Sequence, residues 1–446
     1  MGEFISIIDL VLIPVYIMVL YILTNNIKKK YIQLIPEYKY FVSGILFKFF
    51  GVIAFSLLYL FYYGGGDTVN YFKGTKAISS LIFNEPKFGF QALFDFGVGS
   101  RWYQIYTYAS VLPPFYMWRD HNTFSVCRFS TIFYILGSGR FLITGLLTSI
   151  FSFIGVWKLY RMFNELYPGN SKALAYIILF LPSLLFWGGG IMKDSYILCA
   201  TSWAVYNFYK IFIVKRKILL NLLIFSFNIY VILNLKSYLL ISLLPGMLIW
   251  MNNQLLKNIK SPVFKVLLFP IVIAVVSTFG FLSINSLSES MGVYGDVDSA
   301  IVQAQVIQSD LLRGDQYGSN SYFIGKLDGT LSNLLSLAPI AVLTALFRPF
   351  LWEIGSPTMV ISAIENFALM IFVVLLLIRT NPIKIIKLLT KNPFLLFCIL
   401  FSLFFAFGVG IAGTNFGALV RYKIPMMPFF FGGLYLIFKL SNVKTK

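Results

Sequence analysis

Stretches of about twenty residues almost free of charge return from one end of this chain to the other. Residues 394–412, FLLFCILFSLFFAFGVGIA, contain no charged side chain at all. A helix rises about 1.5 Å per residue, so a run of that length matches the roughly 30 Å of hydrocarbon in a bilayer. Spans are expected at 4–24, 41–63, 141–157, 173–190, 195–213, 218–235, 237–251, 266–285, 360–378, 394–412 and 424–438, about eleven in all. With 58% hydrophobic and only 12% charged residues, a water-soluble fold has too little polar surface to cover its apolar side chains. The expected class is an all-α integral membrane protein, one polytopic domain over residues 1–446.

The net charge of +19 would suggest nucleic acid if it formed a patch. It is instead dealt out in clusters between the spans: Lys28–Lys30, Lys158 with Arg161, Lys215–Lys217, Lys257 with Lys260, Arg379 with Lys384 and Lys387, and Lys444 with Lys446. Basic loops stay on the cytoplasmic side, which orients the chain in the cell (inner) membrane without calling for a nucleic-acid partner. The C-terminus is then cytoplasmic and the N-terminus extracytoplasmic. The first residues carry Glu3 and Asp9 and no basic n-region, so they read as a retained helix and not a signal peptide. The stretch 218–251 is too long for one crossing and is expected to turn back near Asn234–Ser237. A crossing at 334–347 would invert the charge alternation after it, so a re-entrant or interfacial helix is expected there.

Two long segments then face outward. Residues 64–140 hold Trp102, Tyr103, Tyr106, Tyr108, Phe115, Tyr116 and Trp118, which suits helices lying in the interface. Residues 286–333 hold Glu289, Asp296, Asp298, Asp310, Asp315 and Asp328 against Arg313 and Lys326, and read as a water-exposed cap.

Chemistry is sought at the outer face. Gly64–Gly66 followed by Asp67 allows close approach of backbone and ligand, with an acid where a headgroup would meet it; the plainer alternative is that Asp67 caps a helix over Thr68–Ile82. A second triplet, Gly188–Gly190, is followed by Lys193 and Asp194, and Asp194 too could simply cap the next span. Lys236, Arg348, Arg421 and Lys423 bring further cations to the same face. Arg grips phosphate through two hydrogen bonds and Lys as a point charge, although Lys236 and Lys423 could snorkel and Arg348 could pair with Glu353. Asp67 and Arg421 are expected to face one outer cavity. Asp9 and Glu365 sit inside apolar spans and each should find a partner or a polar cavity. The single histidine, His121, rules out a His-based metal cluster. Cys127, Cys199 and Cys398 lack metal or redox spacing. No P-loop or dinucleotide fingerprint is present, so a donor other than a nucleotide is expected.

Gly-Gly-Asp-Thr-Val-Asn-Tyr at 65–71, Leu-Pro-Ser-Leu-Leu-Phe-Trp-Gly-Gly-Gly-Ile-Met-Lys-Asp-Ser at 181–195 and Val-Arg-Tyr-Lys-Ile-Pro-Met-Met-Pro at 420–428 together resemble the polytopic lipid-linked sugar transferases of the GT-C type. The chain is also similar to bacterial membrane proteins of surface-polysaccharide synthesis, some with a stretch like Phe-Arg-Pro-Phe-Leu-Trp-Glu at 347–353. The resemblance implies a GT-C-like fold, a base or metal-contact role for Asp67, and a second acidic role for Asp194. An extra helix before the usual first span and a lone acid after Gly66 depart from that pattern. The expected activity is transfer of a sugar or glycan from a polyprenyl-phosphate carrier to an acceptor on the extracytoplasmic side. Lys193, Lys236, Arg348, Arg421 and Lys423 would hold the departing phosphate. A polysaccharide polymerase or ligase is the near variant, and a lipid-linked glycan transporter or flippase the alternative from another class. The implied partners are a lipid-linked saccharide, membrane lipids and polysaccharide-assembly proteins; the one cofactor left open is a divalent cation.

Overall fold

The structure, a computed structural model, describes residues 4–94, 105–118, 121–256, 297–312 and 321–442. Among them every extended regular element is a helix, and the one strand-like contact is an isolated antiparallel bridge between Ser321 and Asn415. Among the described residues seven helices are long and apolar enough to cross a membrane: Ile7–Tyr31, Pro36–Phe61, Phe141–Leu166, Ile218–Lys236, Pro357–Arg379, Pro393–Ala412 and Phe416–Ser441. Each overlaps an expected span. The other expected spans differ. Residues 195–213 form the helix Lys193–Phe208 running into a π-turn, 237–251 lie in Tyr238–Leu256, and 266–285 fall outside the described residues, as do Trp102, Tyr103, Glu289, Asp296, Arg313 and Asp315.

The expected span 173–190 is a correction, because it is broken into two short helices, Ser171–Ile178 and Pro182–Phe186. Pro182 has no N–H to give to the preceding turn, and Leu181 before it is extended at φ −63°, ψ 120°. An interrupted helix inside an apolar bundle survives only where protein groups satisfy its freed carbonyls.

The chain divides into two compact units, Met1–Tyr206 with Phe227–Lys236, and Asn207–Ser226 with Ser237–Lys446. In the first unit the helices are α1 (Ile7–Tyr31), α2 (Phe41–Phe61), α3 (Asp67–Asn84), α4 (Pro86–Phe94), α5 (His121–Leu136), α6 (Phe141–Leu166), α7 (Ser171–Ile178), α8 (Pro182–Phe186), α9 (Lys193–Phe208) and α10 (Ile218–Lys236), the last two shared with the second unit. Helix α1 starts where the Asp9 carboxylate accepts from the Ser6 N–H at 2.6 Å and its hydroxyl at 2.9 Å, and ends on Lys28–Lys30, which suit the negative pole of its dipole. Its flanks, with Leu10, Val11 and Met18, stay exposed as a lipid-facing helix requires. Asp9 finds its partner in Arg140 at 3.7 Å. Helix α2 is the central element, with Val52 and Phe55 fully buried. It meets α6 and α8 so closely that a methyl on Gly51 would lie 2.4 Å from the Leu185 carbonyl oxygen. Within 64–140, α3 packs along α5 and buries Tyr71, Phe72, Ile78 and Leu81.

In the second unit, α11 (Tyr238–Leu256), α12 (Val297–Leu311), α13 (Leu331–Phe347), α14 (Pro357–Arg379), α15 (Pro382–Lys391), α16 (Pro393–Ala412), α17 (Phe416–Tyr422) and α18 (Met427–Ser441) are built around α16. Prolines 357, 382 and 393 open their helices at the first position, where no N–H is needed. Phe397, Phe401 and Phe405 stack along α16 at 6.0 and 5.8 Å, with Trp250 and Phe429 against them. The segment 334–347 belongs to α13, whose Ala341 carbonyl touches α16 at Gly410. Helix α10 ends at Lys236 and α11 begins at Tyr238, with Ser237 alone between them, at φ −54°, ψ −34°.

Candidate functional site

In the first unit the two glycine triplets meet consecutive rings of α2. A methyl on Gly190 would lie 2.8 Å from the Phe55 ring, and one on Gly66 would lie 3.1 Å from the Tyr59 ring. The two rings are themselves 4.5 Å apart. One helical turn, about 6 Å, therefore separates the triplets along α2.

The first triplet is open. All three glycines have positive φ, at 68°, 146° and 111°, and around Gly64 and Gly65 no atom lies within 4 Å of where a side chain would begin. Asp67 follows, half-buried, as the first residue of α3. Gly66, and not Asp67, is the N-cap of α3, and its carbonyl takes the Val69 and Asn70 N–H groups. The carboxylate instead sits in the first turn, at the positive pole of α3.

The second triplet is walled in. Gly188 faces Leu198 and the Leu184 carbonyl, Gly189 faces Val52, and Gly190 adopts φ +72°. Three side chains from three helices take carbonyls between Leu184 and Gly189, where α8 ends. Lys48 Nζ donates to Leu184 at 2.6 Å, Ser152 Oγ to Gly188 at 2.7 Å and Ser195 Oγ to Gly189 at 2.7 Å. Asp194 does not end as a simple cap either. Its Oδ1 accepts from Lys236 Nζ at 2.7 Å, and the two side chains are 3% and 6% exposed. Lys193, half-buried beside it, lies within electrostatic reach of Cys127 on α5. Burial pushes that thiol up to about 12, so it stays protonated. Two buried polar atoms flank the motifs without a hydrogen-bond partner among the described residues, Thr68 Oγ1 and Trp187 Nε1.

Arg348, Arg421 and Lys423 belong to the second unit. The Arg348 guanidinium holds Glu353 through Nε, at 3.0 and 3.1 Å, and through Nη2, and lies over the rings of Tyr322 at 4.7 Å and Phe416 at 5.0 Å. Burial raises the Tyr322 hydroxyl well above its usual value, which keeps it a donor to the Gly413 carbonyl. Lys423 does not snorkel. It is 1% exposed and donates to Asn366 Oδ1 at 2.7 Å and the Arg348 carbonyl at 3.2 Å, with Glu365 in electrostatic reach. Glu365 thus has the neighbour its position demanded. Arg421 is half-buried at the last turn of α17, 6.0 Å from the Tyr422 ring centre.

Lys48, Asn366 and Tyr322 escaped the sequence reading. Lys48 was findable, because it is a charge inside an apolar span, as Asp9 and Glu365 are. Among the described residues no three His, Cys, Asp or Glu side chains come together as a metal cage. Comparison of the chain with family models, with curated proteins and with solved structures finds no match.

Proposed function

We propose that this chain is a GT-C-like membrane glycosyltransferase that moves a sugar or glycan from a polyprenyl-phosphate carrier to an acceptor on the extracytoplasmic side. The observation that carries the reading is the open Gly64–Gly66 turn, which leaves room for a ligand beside a half-exposed Asp67. In the reaction, the Asp67 carboxylate takes the proton of the acceptor hydroxyl as its oxygen attacks the anomeric carbon. The bond from that carbon to the carrier phosphate breaks with its electrons left on the phosphate oxygen. Lys193 offsets that charge from the first turn of α9. Lys236 holds Asp194 and keeps α9 and α10 in register. In the second unit Arg348 is engaged by Glu353 and Lys423 by Asn366. A polymerase or ligase uses the same chemistry with a glycan acceptor, and polysaccharide-assembly proteins are its fitting partners.

A flippase for the same lipid-linked glycan is favoured by a different observation. The broken α7–α8 segment and the buried Lys48 and Asp194–Lys236 lie inside an apolar bundle, the pattern transporters use for binding sites. Purified protein in proteoliposomes supplied with a polyprenyl-phosphate-linked sugar separates the two. A transferase releases polyprenyl phosphate in step with product, whereas a flippase moves the donor across the bilayer and consumes none. The proposed orientation places Lys29 and Arg216 in the cytoplasm. Cysteines put there should resist a membrane-impermeant thiol reagent in intact cells, and one at Tyr63 should react.

A further inference from the structure

Helix α15, ten residues with the sequence PIKIIKLLTK, joins two membrane-length helices. Thr380 and Asn381 separate it from α14, and Asn392 alone separates it from α16. At no more than about 3.6 Å per residue, these connectors cannot lift it away from the ends of the helices they join. It is a stable element: Pro382 opens it and the Asn381 side chain accepts from the Ile383 N–H at 2.8 Å. It is docked on α16 and α18, with Lys384 Nζ donating to the Ser441 carbonyl and the Thr380 hydroxyl paired with that of Ser441 at 3.1 Å.

Its surface sorts into three arcs at 100° per residue. Ile385, Leu388 and Leu389 are half-buried and share one side. Ile383 and Ile386 point away and are 61% and 60% exposed. Lys384, Lys387 and Lys391 occupy the remaining arc, all exposed. Two exposed isoleucines on so short a helix would be unfavourable in water, and three lysines would be unfavourable in hydrocarbon. The boundary between the two satisfies both. From Asn366 to Lys446 the sequence contains no Asp or Glu, so the rest of this C-terminal stretch offers the lysines no carboxylate.

We propose that α15 is an interfacial anchor whose lysines bind the headgroups of anionic phospholipids while Ile383 and Ile386 enter the acyl layer. The occupant is lipid and not a soluble acidic protein, because the isoleucines lie beside the lysines and the short connectors hold the whole surface at the ends of α14 and α16. The inference rests on the membrane placement of those helices and is independent of any transfer chemistry.

Full-length protein carrying a donor fluorophore on Thr390→Cys, in nanodiscs with trace acceptor-labelled phosphatidylglycerol or phosphatidylcholine, tests it locally. Wild-type α15 should concentrate phosphatidylglycerol over phosphatidylcholine. The Lys387→Gln/Lys391→Gln pair should lose about twenty-fivefold of that preference, since each lysine near an anionic surface is worth about fivefold. Lys384 is left in place because it also ties α15 to Ser441. The Lys387→Arg/Lys391→Arg pair should restore the preference, and unchanged melting of all three proteins shows that they fold alike. Equal energy transfer to both lipids in the wild type, or a preference that survives the glutamines, would overturn the proposal.

Discussion

Gly64–Gly66 and Gly188–Gly190 touch neighbouring rings of α2, yet the first triplet borders open space and the second is packed on every residue. The same three letters answer two different demands. At the first, the backbone turns through positive φ at all three positions, where a side chain would be strained. At the second, helices approach until nothing larger than hydrogen fits, and Val52, Phe55 and Leu198 fill the space. The acids that follow differ in the same way. Asp67 is left half-exposed at a helix start, while Asp194 is buried and neutralised by Lys236. One motif borders open space beside a half-exposed acid, and the other is packed around a buried ion pair.

The largest expected effect is on stability at the packed motif. Lys236→Met strands the Asp194 carboxylate without its cation, which should cost about 3–5 kcal/mol, whereas Asp194→Leu with Lys236→Met should recover much of it. Asp67→Ala at the open motif should cost under about 1 kcal/mol, the worth of one charge at a helix start. Unfolding of the purified protein in detergent measures all three. Equal losses at Asp67 and Lys236 would erase the distinction between the motifs.

A smaller contrast comes from the glycines. Gly188→Ala drives a methyl to 2.5 Å from Leu198 and should cost about 1–3 kcal/mol through overpacking. Gly64→Asn enters open space at φ +68°, a conformation that Asn tolerates, and should cost under about 1 kcal/mol. The same unfolding measurement ranks them.

The sequence carried the class of fold and a fair part of this contrast, but not its sense. Long apolar runs located the seven membrane-length helices because burial in lipid demands uniform hydrophobicity, a local property. The demand that Asp9 and Glu365 find partners was equally local, and Arg140 and Lys423 meet it. The break between Ile178 and Pro182 was misread because apolar content continued through it. Pro182 was the visible warning, but the groups that take the carbonyls where α8 ends, Lys48, Ser152 and Ser195, come from α2, α6 and α9. Whether a glycine is small for its φ or for its neighbour is likewise decided by residues far away in sequence. Asp194 named itself as an acid after a glycine triplet. That Lys236, forty-two positions on, holds it could be seen only in three dimensions.

The smallest expected effect sharpens the comparison with a third acid. Asp328 also stands beside a positive-φ glycine, Gly329, but its carboxylate accepts from the Thr330 N–H at 2.8 Å and hydroxyl at 2.7 Å. Those bonds favour the charged form and hold its pKa below the usual carboxylate range. The folded value lies below the unfolded one, so this contribution is complete at neutral pH and fades as the pH falls through the lowered value. The protection of the Thr330 amide against hydrogen exchange, relative to its intrinsic rate at each pH, should fall over that acidic window, and Asp328→Asn should remove this pH dependence.

The central claim, that Asp67 is the acid that meets substrate, is tested most directly by Asp67→Asn in proteoliposomes given a polyprenyl-phosphate-linked sugar and an acceptor. The amide keeps the shape of the side chain but cannot take the acceptor's proton. Transfer is expected to fall about 10²- to 10⁴-fold, the usual worth of a general base, with melting and membrane insertion unchanged. Transfer within about twofold of wild type would contradict the account and leave Asp67 as no more than a charge at the start of α3.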